Sequence, residues 1–384
     1  MFISDISDME MTKKNPLSGK SERLMSLDVL RGFDMFWIIG GASLIIQLSQ
    51  LESLSFLKPL AIQMTHVEFE GFRFYDLIFP LFMFISGVTI PYSLLSKREK
   101  GVPVKKLQMH VIKRALILVI FGILYNGALQ KGFADLRYAS VLGLIGVAYL
   151  IGATIVLQSK SIRTHVLWLA FIVILISTLQ LFIPVPGYGA GWFDPVKGIN
   201  AYLDQKLLPG RLVSGTFDRL GIVCMVSASM LILSGYFAGR LLRFSKLSGS
   251  RKALWMSAAG ALLILIALIL SPVYPIIKNL WTMTFNFLSA GISLILLALF
   301  YYVIDVKKIG GKVFSKILFF FQVIGLNSIT IYMATRIIPF REVSRFFTGW
   351  LVAPLGEWII ILGAIVIEWY FLYFLYQKRI FLKV

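Results

Sequence analysis

An all-α polytopic membrane protein of about ten transmembrane helices, with both termini on the cytoplasmic side, is the fold class this sequence predicts. Two observations carry most of that expectation. Hydrophobic residues make up 58% of the chain and charged residues 15%, with a mean hydropathy of +0.82, which is too apolar for a soluble domain of this length. Long uncharged runs also recur at the roughly 20-residue length that a hydrocarbon core of about 30 Å demands. The lipid bilayer is therefore the first partner the sequence implies. The net charge of +19 is spread in short clusters between apolar runs, which sets nucleic acid aside and points to membrane orientation.

Residues 1–32 read as a cytoplasmic N-terminal segment and 33–384 as one transmembrane domain. The polar start lacks the apolar stretch and cleavage site of a signal peptide, so the first helix is expected to be retained as the start signal. Run length places helices near 33–50, 72–95, 109–130, 138–157 and 164–183, then near 219–242, 252–271, 280–303, 314–336 and 350–376. A break near Asn126–Asp135 could be re-entrant. Alternate connections collect the basic residues: Lys97, Arg98 and Lys100 after the second helix, Lys160 and Arg163 after the fourth, and Arg240, Arg243 and Lys246 after the sixth. Lys307, Lys308 and Lys312, then Lys378 and Arg379, continue the pattern, which puts these segments in the cytoplasm and the long 184–218 loop on the opposite, periplasmic face. No internal repeat is visible, which disfavours an inverted-repeat carrier. Cys224, the single cysteine, lies in an apolar run and reads as packed core.

The segment from His66 to Pro80 holds His66, Glu68, Glu70, Arg73 and Asp76 directly before an apolar run. Ionisable groups so close to hydrocarbon need a reason. A histidine beside an amine or hydroxyl can serve as general base, with Asp76 or Glu70 fixing its tautomer; the alternative is a wetted interface with a structural Arg73–Asp76 ion pair. No metal site is expected, because His-x-Glu-x-Glu offers few ligands. At the opposite end of the first helix, Asp28 and Arg31 stand on adjacent turns, where Arg31 is either an orientation anchor or a holder of phosphates. Asn279 and Asn327 could bond hydroxyls or tie helices together. Trp281 and Trp192, like Glu68, could line a sugar site, where aromatic rings stack on a pyranose face.

Taken together, these segments resemble the transmembrane family of heparan-α-glucosaminide N-acetyltransferase and its bacterial relatives. The family's Leu-Asp-x-x-Arg-Gly opening stands at Leu27–Gly32, its histidine stretch at His66–Pro80 with Phe69 in place of tryptophan, its Lys-Asn-Leu-Trp at Lys278–Trp281 and its Gly-x-Asn-Ser at Gly325–Ser328. The basic-aromatic ending matches Gln377–Val384. The resemblance implies an acyltransferase-like domain in a bacterial inner membrane, passing an acetyl group from cytoplasmic acetyl-CoA to a glucosamine-like sugar at the periplasmic face. It implies His66 as the catalytic histidine with Asp76 or Glu70 beside it, Arg31, Asp28, Asn327 and Asn279 on the donor, Glu68, Trp281 and Trp192 on the acceptor, and a homodimer. Two departures stand out: an asparagine of the family falls near Ala42, and its Asp-Pro-Glu-Gly run becomes Asp218-Arg219-Leu220-Gly221. A permease for N-acetylated amino sugars, or an O-acetyltransferase of a surface glycan, are the rival expectations.

Overall fold

The structure, a computed structural model, describes residues 24–128 and 136–382. Among these residues there is no β-sheet, only two isolated bridges, Arg137 with Gly210 and Val185 with Gly189. Nine helices among the described residues are long and apolar enough to cross a membrane: α1 (Met25–Leu48), α2 (Phe74–Glu99), α3 (Val104–Tyr125), α4 (Val141–Gln158), α5 (Ile162–Phe182), α6 (Ile222–Phe244), α7 (Gly249–Leu270), α8 (Met283–Val306) and α9 (Trp358–Gln377). A tenth crossing is counted if Lys312–Leu326 and Ser328–Ile337, bent by 70° about Asn327, form one span.

Two expectations are corrected. The first helix begins at Met25, not near residue 33, because Leu27, Val29 and Leu30 are buried with Asp28 in the bundle. Asp28 and Arg31 thus lie inside the first two turns, on the adjacent turns expected of them. The expected helix 314–336 is broken, since the buried amide of Asn327 draws backbone groups from the C-terminal segment and its own residue is non-helical, at φ −127°. The expected break near 126–135 lies mostly outside the described residues; within them, α3 ends at Tyr125 and Asn126 donates to the carbonyls of Arg137 and Ala139, both at 2.8 Å.

In lipid there is no hydrophobic drive between helices, so close backbone approach through small residues holds them together. Helices α2 and α6 meet this way: a methyl group at Gly87 would run into the carbonyl of Ile232, and one at Gly235 into that of Phe84. The same device joins α1 to the helix before the 70° bend, at Gly32 and Gly325. Helices α2, α6 and α4 form the buried centre, whereas α5 and α7 expose Leu167, Phe171, Leu254 and Trp255 as a surface suited to lipid.

Contacts sort the connections between two ends. At one, Arg98 donates to the carbonyls of Leu157 and Ser159 at 3.3 and 3.4 Å, Arg243 pairs with Glu99 at 2.6 Å, and the Ser26 N–H bonds Asp305 at 3.3 Å. At the other, His66 meets Lys278, Arg137 meets Asp218, and Arg336 donates to the carbonyl of Tyr125. Spans of 18 residues or more separate the two ends, roughly 27 Å at 1.5 Å per residue.

Candidate active site

The end that carries His66 is built from four connections brought to one place. The first precedes α2. There the Arg73 guanidinium does not pair with Asp76; it donates to Thr65 Oγ1 at 2.6 Å and to the carbonyl of His66 at 2.9 Å, clamping the loop on which the histidine stands. Asp76, fully buried, accepts the Arg73 backbone N–H at 3.1 Å and the Val67 N–H at 3.5 Å on Oδ2. Its Oδ1 meets His66 Nδ1 at 2.7 Å and Lys278 Nζ at 3.1 Å.

Lys278 comes from the connection before α8. The turn Lys278–Leu280 ends at Trp281, whose φ of +49° is unusual for a bulky residue. That conformation turns the chain abruptly into α8, which Thr282 caps by accepting the Phe285 N–H at 3.4 Å. Buried amides hold the turn from behind: Gln180 donates to the carbonyl of Leu280 at 2.9 Å and Asn200 at 3.2 Å. The Gly71 N–H to the carbonyl of Ile276, at 2.9 Å, ties this turn to the His66 loop.

Arg137 and Arg219 complete the wall. Arg137 pairs with Asp218 through two parallel bonds of 2.7 and 2.6 Å. Asp204, on the short helix Ile199–Leu207, accepts the backbone N–H groups of Asp218 and Ile222, each at 3.0 Å, and so fixes the turn that carries Arg219. Burial pushes the Asp204 carboxyl up to about 6, against the lowering effect of those two N–H groups.

Between these connections lies a cavity of about 270 Å³, lined by His66, Asp76, Lys278, Asn279, Trp281, Arg137 and Arg219 among others. Burial lowers the Lys278 pKa, Asp76 draws it partly back, and Arg219 lowers it further. A carboxylate that receives the Nδ1 hydrogen of an imidazole leaves Nε2 as the basic nitrogen. Nδ1 cannot both donate to Asp76 and accept from Lys278, whose Nζ is 3.2 Å away. The charge-assisted bond to the buried carboxylate wins, and Lys278 then acts on Asp76. The arrangement can therefore accept a proton at His66 while holding the ring in one tautomer.

Of the residues singled out in the sequence, His66, Asp76, Asn279 and Trp281 meet at this cavity. Glu68, Glu70 and Trp192 are exposed and do not line it; the Trp192 indole donates to the carbonyl of Tyr188, with Lys197 4.8 Å from its ring. Asp28, Arg31 and Asn327 lie at the other end, where Arg31 stands 3.8 Å from Asp28 and Asn327 donates to the carbonyl of Ile380 at 3.0 Å. Sequence reasoning gave Arg137 no role, saw Lys278 only as part of a motif and Arg219 only as a departure from one. A signal was present, because these cations belong to connections where membrane orientation does not call for them. Cys224 is buried and free, as a packed core cysteine should be.

No family model matches the chain. Among curated proteins it is similar to heparan-alpha-glucosaminide N-acetyltransferase of Homo sapiens, with 24% identity over 83% of this chain and 55% of that protein. At that level the match is a distant similarity to these acetyltransferases. The protein of the same name from Mus musculus is also 24% identical, over 71% of this chain and 49% of its own length. The chain thus spans about half the length of the curated relatives it matches.

Proposed function

We propose that this protein is a transmembrane acetyltransferase that moves an acetyl group from acetyl-CoA to the amine of a glucosamine-like sugar in the His66 cavity. The observation that carries the reading is the buried Asp76 bonded to His66 and Lys278 on a cavity wall. The name shared by the two relatives gives the reaction class, and the grouping of basic connections at the opposite end supports a periplasmic cavity with a cytoplasmic donor.

In this reading His66 Nε2 takes the proton of the attacking amine as the C–N bond forms and the thioester C–S bond breaks. The same proton passes to the departing thiolate, so the products are the N-acetyl sugar and CoA thiol. Asp76 holds the imidazole in its working tautomer and offsets the charge that develops on it. Lys278 keeps Asp76 in place and balances its charge. Asn279 contributes an amide to the cavity wall, the buried Trp281 backs that wall, and Arg31 holds the donor phosphates. An inner-membrane location, multi-pass in a bacterial cell, belongs to the same proposal.

The test is thiol release by detergent-solubilised protein given acetyl-CoA with and without glucosamine. Sugar-dependent release supports the transferase. Uptake of N-acetylated sugar into proteoliposomes lacking acetyl-CoA, with no thiol release, would replace it with a permease.

A further inference from the structure

The cavity holds more positive charge than its own framework uses. Arg137 is committed to Asp218 and Lys278 to Asp76. Arg219 lines the same cavity, is exposed, and among the described residues makes no hydrogen bond or ion pair. Its backbone is nevertheless held: Asp218, next to it, accepts the N–H groups of Leu220 at 3.0 Å and Val213 at 3.1 Å. A fixed turn that presents an unpaired guanidinium to a cavity is arranged for a ligand group and not for folding. Arg219 also lies near enough to Lys278 to lower its proton affinity, and two like charges facing one space are stabilised by an anion between them. Orientation in the membrane offers no competing reason, since the basic connections that set it gather at the other end.

We propose that Arg219 is a specificity-determining residue that binds an acidic group on a monosaccharide-sized acceptor, so that the site takes an acidic amino sugar in preference to a neutral one. The acidic group is an oxyanion that a guanidinium fork can engage through two bonds, such as a carboxylate or a phosphate or sulfate ester. The size limit follows from a cavity of about 270 Å³, at the small end of ligand pockets. The inference rests on the reading of this cavity as the acceptor site of a transferase.

Phosphates of CoA share the same chemistry, so the experiment separates the two sources. Calorimetry measures the Kd of wild type, Arg219→Gln and, as a control on the neighbouring helix Ile199–Leu207, Lys206→Gln for glucosamine 6-phosphate, glucosamine and CoA, alongside thiol-release kinetics with both sugars. The expected result is tighter binding of glucosamine 6-phosphate than of glucosamine by wild type and Lys206→Gln. In Arg219→Gln that preference falls by about tenfold to a hundredfold, the range for a lost charge-assisted bond, while CoA affinity is unchanged. An unchanged sugar preference in Arg219→Gln, or a loss confined to CoA, overturns the proposal, the second by assigning Arg219 to the donor. Preferential binding that depends on Arg219 with no thiol release from either sugar keeps this inference and defeats the transferase reading.

Discussion

The two ends of the bundle hold similar polar motifs and differ in whether those groups converge on a cavity. At the Asn327 end, side chains close backbone gaps: the amide takes the carbonyl of Ile380 and the N–H of Leu382, and Arg98 takes the carbonyls of Leu157 and Ser159. At the His66 end the polar side chains meet one another, with His66, Asp76 and Lys278 within 3.2 Å around a cavity that also receives Arg137 and Arg219. A polar residue near a membrane helix end is thus weak evidence of chemistry until its partners are known. Side chains turned toward backbone are framework, and side chains turned toward each other and a cavity are candidates for function.

Substitutions can break that contrast. His66→Ala is expected to lower thiol release by about 10²- to 10⁴-fold, the usual worth of a general base, and to leave acetyl-CoA binding by calorimetry close to wild type. Loss of both together would make His66 part of the framework. Asp76→Asn should cost about tenfold or more in turnover by freeing the imidazole to adopt the other tautomer; it should also lower the melting temperature, because Lys278 is left beside a neutral amide.

At the other end the signs reverse. Asn327→Ala removes a buried amide with two backbone partners and should destabilise by about 1–3 kcal/mol, seen as a lower melting temperature with donor affinity unchanged. Weakened acetyl-CoA binding at unchanged melting temperature would restore Asn327 to the donor site that the sequence suggested.

The smallest expected effect is a pH dependence at Asp204. Its folded pKa of about 6 lies above the ordinary value near 3.9, so between these values the folded state binds more protons than the unfolded one. Stability is then gained as pH falls from 7 to 5 and lost as it rises through 6, by about 1 kcal/mol over that window. Thermal melts at pH 5 and pH 7 should show that gain in wild type and a smaller one in Asp204→Asn.

Much of the fold is legible in the sequence because bilayer thickness imposes one length on every span, and run length reveals it. The misses have physical causes. Asp28 and Arg31 look like a polar boundary, yet Asp28 is buried inside the first turns of α1, and a lone asparagine in the apolar run 314–336 gives no local hint of a 70° bend. In the site, His66 and Asp76 are legible because ionisable groups precede hydrocarbon. Arg137, Arg219 and Lys278 reach them from connections far away in sequence, and only tertiary packing brings them together. Glu68 and Glu70 show the converse, since closeness in sequence to His66 does not turn them into the cavity.

The most direct test of the central claim, that chemistry occurs at the His66 cavity, is CoA thiol release from acetyl-CoA by wild-type and His66→Ala protein, with amino sugar added to each. Sugar-dependent release by wild type, reduced at least about a hundredfold in His66→Ala while the variant still binds acetyl-CoA, is the predicted result. Equal release by the two proteins would contradict it and move the reaction away from this cavity.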